Sequence, residues 1–165
     1  MPHTAYLSLS SSLGDRAANL LRTLSSLVIG DIRLSSASSI YEIETSPDEA
    51  KALTLIVAVI APRLEPFAFV NYCLATETRI GRKRISEDGE RAVEIDLLLL
   101  DEQIVDEIRN GIDLILPHPY LHLRRSALVP LAEIAPHLQH PVLGETMSHL
   151  LGAVEDGSNV RVYRG

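Results

Sequence analysis

Two carboxylates, Glu94 and Asp96, are the residues of this sequence with the clearest chemical potential. They lie one residue apart in the segment from Ala92 to Leu100, whose apolar pattern is typical of a β-strand. Alternate residues of a strand point to the same face, so the two side chains lie about 7 Å apart on one side. Mg²⁺ binds a few carboxylate oxygens together with water and substrate phosphates. The pair is therefore suited to hold magnesium with a nucleotide.

Alternating acidic residues have a second interpretation, because they also mark the solvent side of a half-buried strand. A cluster of basic residues just before the strand favours a site instead, since arginine matches phosphate oxygens through its planar fork of donors. The cluster consists of Arg79, Arg82, Lys83, Arg84 and Arg91. This basic cluster also has a second interpretation, in which its residues complement the dipole at the end of a helix and nearby acidic residues neutralise them.

A third feature is His118, which stands between two prolines and is followed by His122, Arg124 and Arg125. A histidine held in a rigid turn can donate a hydrogen bond to a phosphate, although a Pro-His-Pro segment is also a common structural loop. The other histidines have no spacing typical of a metal site. The phosphate interpretation therefore depends on what surrounds His118.

Composition and missing motifs exclude several classes of function. The formal net charge of −7 argues against nonspecific binding to nucleic acid or to an anionic membrane. The longest apolar stretch, Leu55 to Ala61, is too short to cross a bilayer. No Gly-rich loop with Gly-Lys-Ser or Gly-Lys-Thr is present, which excludes a standard P-loop kinase. The single cysteine, Cys73, cannot form an internal disulfide and is expected to be buried, which favours a cytoplasmic protein.

The elements that must position these residues follow the order βαββαβ. The predicted segments are Ala5 to Leu9, Arg16 to Val28, Ile32 to Glu44, Leu53 to Ala61, Pro66 to Ile80 and Ala92 to Leu100. This order predicts an α+β, ferredoxin-like fold, with an antiparallel sheet and helices on one face.

The chain length of 165 residues is in the range of one domain, so residues 1–165 are expected to form a single unit. Residues after Asp101 are expected to form a C-terminal extension, with a loop at Pro117 to Pro119 and a short helix near Gly144 to Leu151. The composition of the last segment, Glu155 to Gly165, is polar and predicts partial disorder.

Taken in order, these segments resemble the 6-hydroxymethyl-7,8-dihydropterin pyrophosphokinases of folate synthesis, over most of the chain. The combination of motifs is specific, although no single motif is. The motifs are Ala5 to Leu9 with Leu13 to Arg16, Ser38 to Glu42, Glu77 with Gly81 to Arg84, Arg91 to Leu99, Leu116 to Pro119, Arg124, and Leu128 to Pro136.

The resemblance implies two Mg²⁺ ions and attack of a substrate hydroxyl on the β-phosphorus of ATP, with AMP leaving. It implies that Glu94 and Asp96 bind the magnesium ions and that Arg82 and Arg91 contact phosphates during catalysis. Four further residues would form the ATP site, namely Glu77, Arg84, His118 and Arg124. The partners implied are ATP and a small hydroxymethyl heterocycle.

The chain departs from the family pattern mainly on the pterin side. The first of the family's two aspartates is Glu94 here, which is one methylene longer. The family's Gly-Ser-Asn after the first strand is Ser10-Ser11-Ser12 here. Thr54 stands near the position of the pterin-binding asparagine, and Ser126 stands at the position of the aromatic that stacks on the pterin. Thr54 and Ser126 are therefore the candidate substrate residues. Two alternatives therefore stand beside a pterin pyrophosphokinase: a related kinase with another hydroxymethyl acceptor, and a catalytically silent binding protein.

Overall fold

The computed structural model describes residues 1–49, 51–81 and 92–165. Its elements are β1 (His3–Ser11), α1 (Arg16–Leu27), β2 (Arg33–Ala37), β3 (Tyr41–Glu44), β4 (Ala52–Ala61), α2 (Pro66–Ile80), β5 (Glu94–Leu100), β6 (Val105–Arg109), β7 (Ile112–Leu116), a 3₁₀ turn (Leu121–Leu123), α3 (Arg125–Ile134), α4 (Met147–Ala153) and β8 (Asn159–Val162). None of the helices in these ranges has the length and apolar character needed to cross a bilayer.

The main sheet has the strand order β5-β1-β4-β3-β8, and β2 also pairs with β4. Each pairing is antiparallel, and β1 lies between β4 and β5. This is the arrangement that the βαββαβ order predicts, so the ferredoxin-like α+β fold is confirmed.

The period-two pattern of β1 separates the two faces of the sheet. Ala5, Leu7 and Leu9 are fully buried in the core that α1 and α2 cover, where Leu20 and Phe67 also pack. The two helices of the βαββαβ unit therefore lie on one face, as predicted. Both helices begin at acidic N-caps and α2 ends at a glycine, which explains why their limits are readable from the sequence.

The C-terminal extension covers part of the opposite face with α3 and α4. Leu128 and Leu131 of α3 and Met147 of α4 are completely buried against Ile56 and Leu98. The extension therefore adds a second core, whereas the sequence predicted only a loop and one short helix. Pro130 lies inside α3, where it removes one helical hydrogen bond, and this obscures the helical pattern.

The predicted strand from Ile32 to Glu44 is divided into β2 and β3. Ala37 pairs with Val57 and Tyr41 with Thr54, so the connection between β2 and β3 carries one more residue than the stretch of β4 opposite it. Ser38 stabilises the break, because its backbone N–H donates to Ile56 O at 2.8 Å and its Oγ accepts from Ile56 N at 3.0 Å. The sequence shows the serines but not this bulge.

The polar C-terminal tail forms an ordered edge of the sheet rather than the partial disorder expected from its composition. Residues Asn159 to Val162 form β8, which pairs with β3. Arg161 Nη2 donates to Glu42 Oε1 at 3.0 Å, and the backbone N–H of Tyr163 donates to Ile40 O at 2.8 Å. Long-range contacts of this kind cannot be read from the local composition.

Glu133 of α3 connects the extension to the β2–β3 connection. Its carboxylate accepts hydrogen bonds from Ser39 N at 2.9 Å, Ser39 Oγ at 2.8 Å and Tyr41 Oη at 2.9 Å. Burial alone would raise the pKa of Glu133, but these three donors outweigh it and lower the pKa. Glu133 therefore stabilises the fold in its ionised form.

We expect Glu133→Gln to lower the free energy of unfolding at pH 7 by about 1 kcal/mol, a small value because the carboxylate is exposed. A lowered folded-state pKa stabilises the protein above the unfolded-state pKa, and this stabilisation is lost as the pH falls through the folded-state value. Urea unfolding between pH 7 and pH 3 should therefore show the two proteins converging in acid. Glu102→Gln, on an exposed turn, is the matched control, and a difference that persists at pH 3 would contradict the assignment.

Candidate active site

The register of three neighbouring strands brings the two carboxylates beside a row of hydroxyl groups. Glu94 pairs with Ser10 and Asp96 with Ser8 across β5 and β1, and Ser10 pairs with Thr54 across β1 and β4. Ser10 Oγ and Thr54 Oγ1 are 3.3 Å apart. Glu94 and Asp96 therefore lie on the sheet face opposite α1 and α2, on one side of their strand as the sequence predicts.

A cavity of about 130 Å³ lies on this face and collects most of the predicted site residues. Its lining includes Thr54, Glu94, Asp96, His118, Arg124 and Ser126, together with Ser8, Ser10 and Tyr120. These groups come from three strands, from the loop after β7 and from the start of α3. The sequence predicts the first six of them but not the three others.

His118 is held by the backbone around it and is partly buried. Its N–H donates to Leu98 O at 2.9 Å, and its ring Nδ1 accepts from Tyr120 N at 3.2 Å. The neutral ring therefore carries its proton on Nε2, where it can donate to an anion. Burial and the nearby Arg124 lower the pKa of His118, and Glu94 opposes this by raising it, so the neutral ring predominates at neutral pH.

Arg124 lies above the ring of Tyr120, with its guanidinium carbon 4.9 Å from the ring centre. A cation above an aromatic face is attracted to it, and this contact limits the orientations of the guanidinium group. Tyr120 also lies near the His118 ring, with 6.0 Å between the ring centres. Tyr120 is thus a site residue that the sequence argument missed, and its position between His118 and Arg124 was the available signal.

Glu77 does not line the cavity, although the resemblance places it in the ATP site. It is only 3% exposed, and its Oε1 accepts a hydrogen bond from Ile95 N at 3.1 Å. Ile95 lies between the two carboxylates on β5. Glu77 therefore contacts the strand that carries Glu94 and Asp96 from the side of α2.

Three predicted arginines, Arg82, Arg84 and Arg91, lie outside the described residues. The residues that flank this segment are close together. Gly81 has a φ of 141°, and a Cβ at this position would lie 3.2 Å from the Ala92 Cβ. Gly81 thus combines an unusual backbone conformation with a close approach to the residue that leads into β5.

Two further cavities continue the site in opposite directions. One, of about 190 Å³, shares Ser10, Thr54, Glu94 and Ser126 with the central cavity and extends to Ile43. The other, of about 320 Å³, shares Asp96 and His118 with it. Its remaining lining is mostly apolar, comprising Val70, Ile95, Leu97, Leu114, Ile115 and Pro119, with the single carboxylate Asp113. The three cavities form a cleft with an apolar end, a charged centre and a hydroxyl-lined end.

The charged centre fits a hard cation shared with a phosphate ligand. Among residues 1–49, 51–81 and 92–165, no three histidine, cysteine, aspartate or glutamate side chains form a cluster that could enclose a metal ion. Glu94 and Asp96 are half-buried carboxylates on one face of one strand. This donor set suits Mg²⁺, which takes one or two carboxylates and completes its shell with water and phosphate oxygens.

Comparison with known proteins identifies the type of enzyme to which this cleft belongs. Residues 6–136 match the family model described as 7,8-dihydro-6-hydroxymethylpterin-pyrophosphokinase. The chain belongs to this family. It is 35% identical to the 2-amino-4-hydroxy-6-hydroxymethyldihydropteridine pyrophosphokinase of Methylorubrum extorquens, over 96% of this chain and 98% of the relative. It is 30% identical to the Bacillus subtilis protein of the same name, over 99% and 92% of the two chains.

A solved structure shows the same fold at lower identity. A triple mutant of Plasmodium falciparum HPPK-DHPS aligns with a TM-score of 0.75 and 16% identity, over 92% of this chain. This chain spans 43% of that larger protein.

As a family member, the chain is an ATP-dependent pyrophosphokinase of folate synthesis that uses ATP and a pterin.

The environment of His118 predicts how its titration responds to its neighbours. Because Arg124 lowers the pKa of His118 and Glu94 raises it, Arg124→Gln should raise this pKa and Glu94→Gln should lower it further. NMR titration of the imidazole in the protein without nucleotide or metal measures both shifts. Arg33→Gln, at the other end of the sheet, serves as the control. Shifts of the opposite sign would show that His118 does not lie between these two groups.

Proposed function

We propose that the cleft binds Mg-ATP with its phosphates beside Glu94 and Asp96, its adenosine toward the apolar end, and the acceptor at the hydroxyl-lined end. The observation that carries this proposal is the continuity of the three cavities. The central cavity shares Asp96 and His118 with the apolar cavity. It shares Ser10, Thr54, Glu94 and Ser126 with the hydroxyl-lined cavity. Mg-ATP and the hydroxymethyl acceptor bound in this order would meet at the charged centre.

The family reaction transfers the β,γ-diphosphate of ATP to a hydroxymethyl group. The hydroxyl oxygen bonds to the β-phosphorus while the bond from that phosphorus to the α-phosphate oxygen breaks, so that AMP leaves and the hydroxyl proton is released. Reactions of this class depend mainly on positioning and charge stabilisation. A cleft that places the two substrates end to end meets the first requirement.

Charge stabilisation is assigned to groups at the centre of the cleft. Glu94 and Asp96 would hold two Mg²⁺ ions, which neutralise charge on the phosphate oxygens when bound. His118 would donate from Nε2, and Arg124 would contact a phosphate through its guanidinium group. Arg82 and Arg91 are proposed to contact the phosphates during transfer and Arg84 to bind the nucleotide, supported by the family match that includes them.

Glu77 is proposed to support the ATP site through β5, since it contacts Ile95 N and is almost completely buried.

The compartment proposed for the enzyme is the cytoplasm. Its support is Cys73, a buried thiol whose pKa burial raises to about 12, with Glu77 contributing. Such a thiol has little thiolate at neutral pH and is correspondingly unreactive.

A direct test incubates the protein with Mg-ATP, with and without 6-hydroxymethyl-7,8-dihydropterin, and measures AMP by chromatography. We expect AMP release that depends on the pterin. Binding of ATP without pterin-dependent AMP would point to a different hydroxymethyl acceptor, and absence of ATP binding would contradict the assignment of the cleft.

We expect Asp96→Asn to reduce AMP formation by more than about a hundredfold. Residues that only hydrogen-bond a metal ligand typically change activity by about 10–100-fold, and the loss of the ligand itself should exceed this. The change keeps the shape of the side chain and removes its charge. Asp31→Asn, an exposed residue beyond the opposite end of the sheet, is the control and should have full activity. Turnover that survives in both Asp96→Asn and Glu94→Ala would show that the metal assignment is wrong.

Ser126→Phe should lower the KM for the pterin about fivefold, the equivalent of the ~1 kcal/mol expected from aromatic stacking. Ser126 lines both the central cavity and the acceptor cavity, so a ring at this position would reach the acceptor. The KM for ATP should not change. Ser126→Leu adds comparable bulk without an aromatic face, and an equal decrease of KM in both variants would refute the stacking explanation.

A further inference from the structure

Asn19 of α1 is a buried polar residue outside the lining of the cleft. It is 5% exposed, and its Nδ2 donates to Leu13 O at 2.9 Å, to Ser11 Oγ at 3.1 Å and to Ala92 O at 3.3 Å. The side chain is itself oriented, because its Oδ1 accepts a hydrogen bond from the guanidinium of Arg22. A single amide thus joins two segments that are far apart in sequence.

Both of these segments lead directly into the charged centre of the cleft. Ser11 follows Ser10, which lines the central cavity, and Ala92 precedes Glu94 by two residues. The ladder between β1 and β5 ends at the pair Ser10 and Glu94, so ladder hydrogen bonds do not fix Ala92. The bond from Asn19 extends the connection beyond the end of the ladder.

The end of α2 also lies close to Ala92. A Cβ at Gly81 would lie 3.2 Å from the Ala92 Cβ, which shows that the two backbones approach closely. Ala92 therefore lies beside the end of α2 and accepts a hydrogen bond from the Asn19 amide of α1. The Ser10 pair and the Glu77 bond to Ile95 N fix β5 from Glu94 onward, and the Asn19 bond to Ala92 adds a fixed point just before Glu94.

We propose that Asn19 is a positioning residue for metal binding, which acts by fixing the start of β5 and so the carboxylate of Glu94. Mg²⁺ requires near-octahedral geometry with oxygen ligands at about 2.0–2.1 Å, so a small displacement of one ligand weakens binding. Residues behind the ligands typically change metal affinity by about 10–100-fold. Because Asn19 acts through the backbone, we expect an effect near tenfold. This inference rests on the proposed function of Glu94 and Asp96.

The test measures Mn²⁺ binding by electron paramagnetic resonance in the presence of α,β-methylene-ATP, whose α–β bridge cannot be broken. Two variants are compared, Asn19→Asp, which keeps the shape and removes the amide donors, and Asn19→Ser, which removes the amide without adding charge. The control is Thr23→Val. Thr23 is completely buried one turn further along α1, and its Oγ1 donates only to Asn19 O, at 2.7 Å. All proteins are studied well below their own Tm.

We expect both Asn19 variants to raise the Kd for Mn²⁺ about tenfold, whereas Thr23→Val binds Mn²⁺ like the wild type even where its Tm falls equally. Steady-state kinetics should show a higher Mg²⁺ requirement with little change in the KM for the pterin. Wild-type affinity in the Asn19 variants, or an equal loss in Thr23→Val, would overturn the inference and leave the proposed function intact. If Asp96→Asn binds Mn²⁺ as the wild type does, the proposed site and this inference both fail.

Discussion

The antiparallel register of β1 between β4 and β5 is the constraint on which the rest of the structure depends. A strand alternates its side chains between two faces, so the register decides which residues of three strands share a face. Here it places Ser10 between Glu94 and Thr54. A shift of one residue would turn Glu94 toward the apolar core under α1 and α2, where an unpaired carboxylate is costly. Burial of Leu7 and Leu9 on that core face therefore secures the site on the other.

The C-terminal extension completes the cleft and shows why the ferredoxin-like unit alone is insufficient. Its residues Leu128 and Leu131 bury part of the face that carries the site, and this packing places the start of α3 beside the cavity. Arg124 and Ser126 lie at that start. The contacts of Glu133 with Ser39 and Tyr41 fix the other end of α3 to the sheet. The packing that stabilises the second core thus also places the Arg124 guanidinium group at the charged centre.

The sequence predicts the parts of the fold that local rules determine. Alternating apolar residues reveal β1 and β5, the caps of α1 and α2 mark their ends, and the spacing of Glu94 and Asp96 puts them on one face. The pairing of β8 with β3 depends instead on contacts such as Arg161 with Glu42, which are distant in sequence. Tyr120 lies between His118 and Arg124 in sequence, but only the fold of the loop shows that its ring contacts the Arg124 guanidinium. Local patterns identify Glu94, Asp96, His118 and Arg124, and the fold decides which further residues join them.

The charged centre and the hydroxyl-lined end of the cleft differ in how they can contribute to the reaction. In the proposed binding mode the ligand at the charged centre is highly ionic, so fixed charges would stabilise it strongly when water is excluded. At the acceptor end, small hydroxyl side chains such as those of Thr54 and Ser126 offer hydrogen bonds and little apolar contact area. Contacts that are equal in the ground state and the transition state change KM and leave kcat unaltered. Replacement of acceptor contacts in this chain is therefore compatible with an intact chemical step, because the groups proposed to stabilise the transferring diphosphate lie at the charged centre.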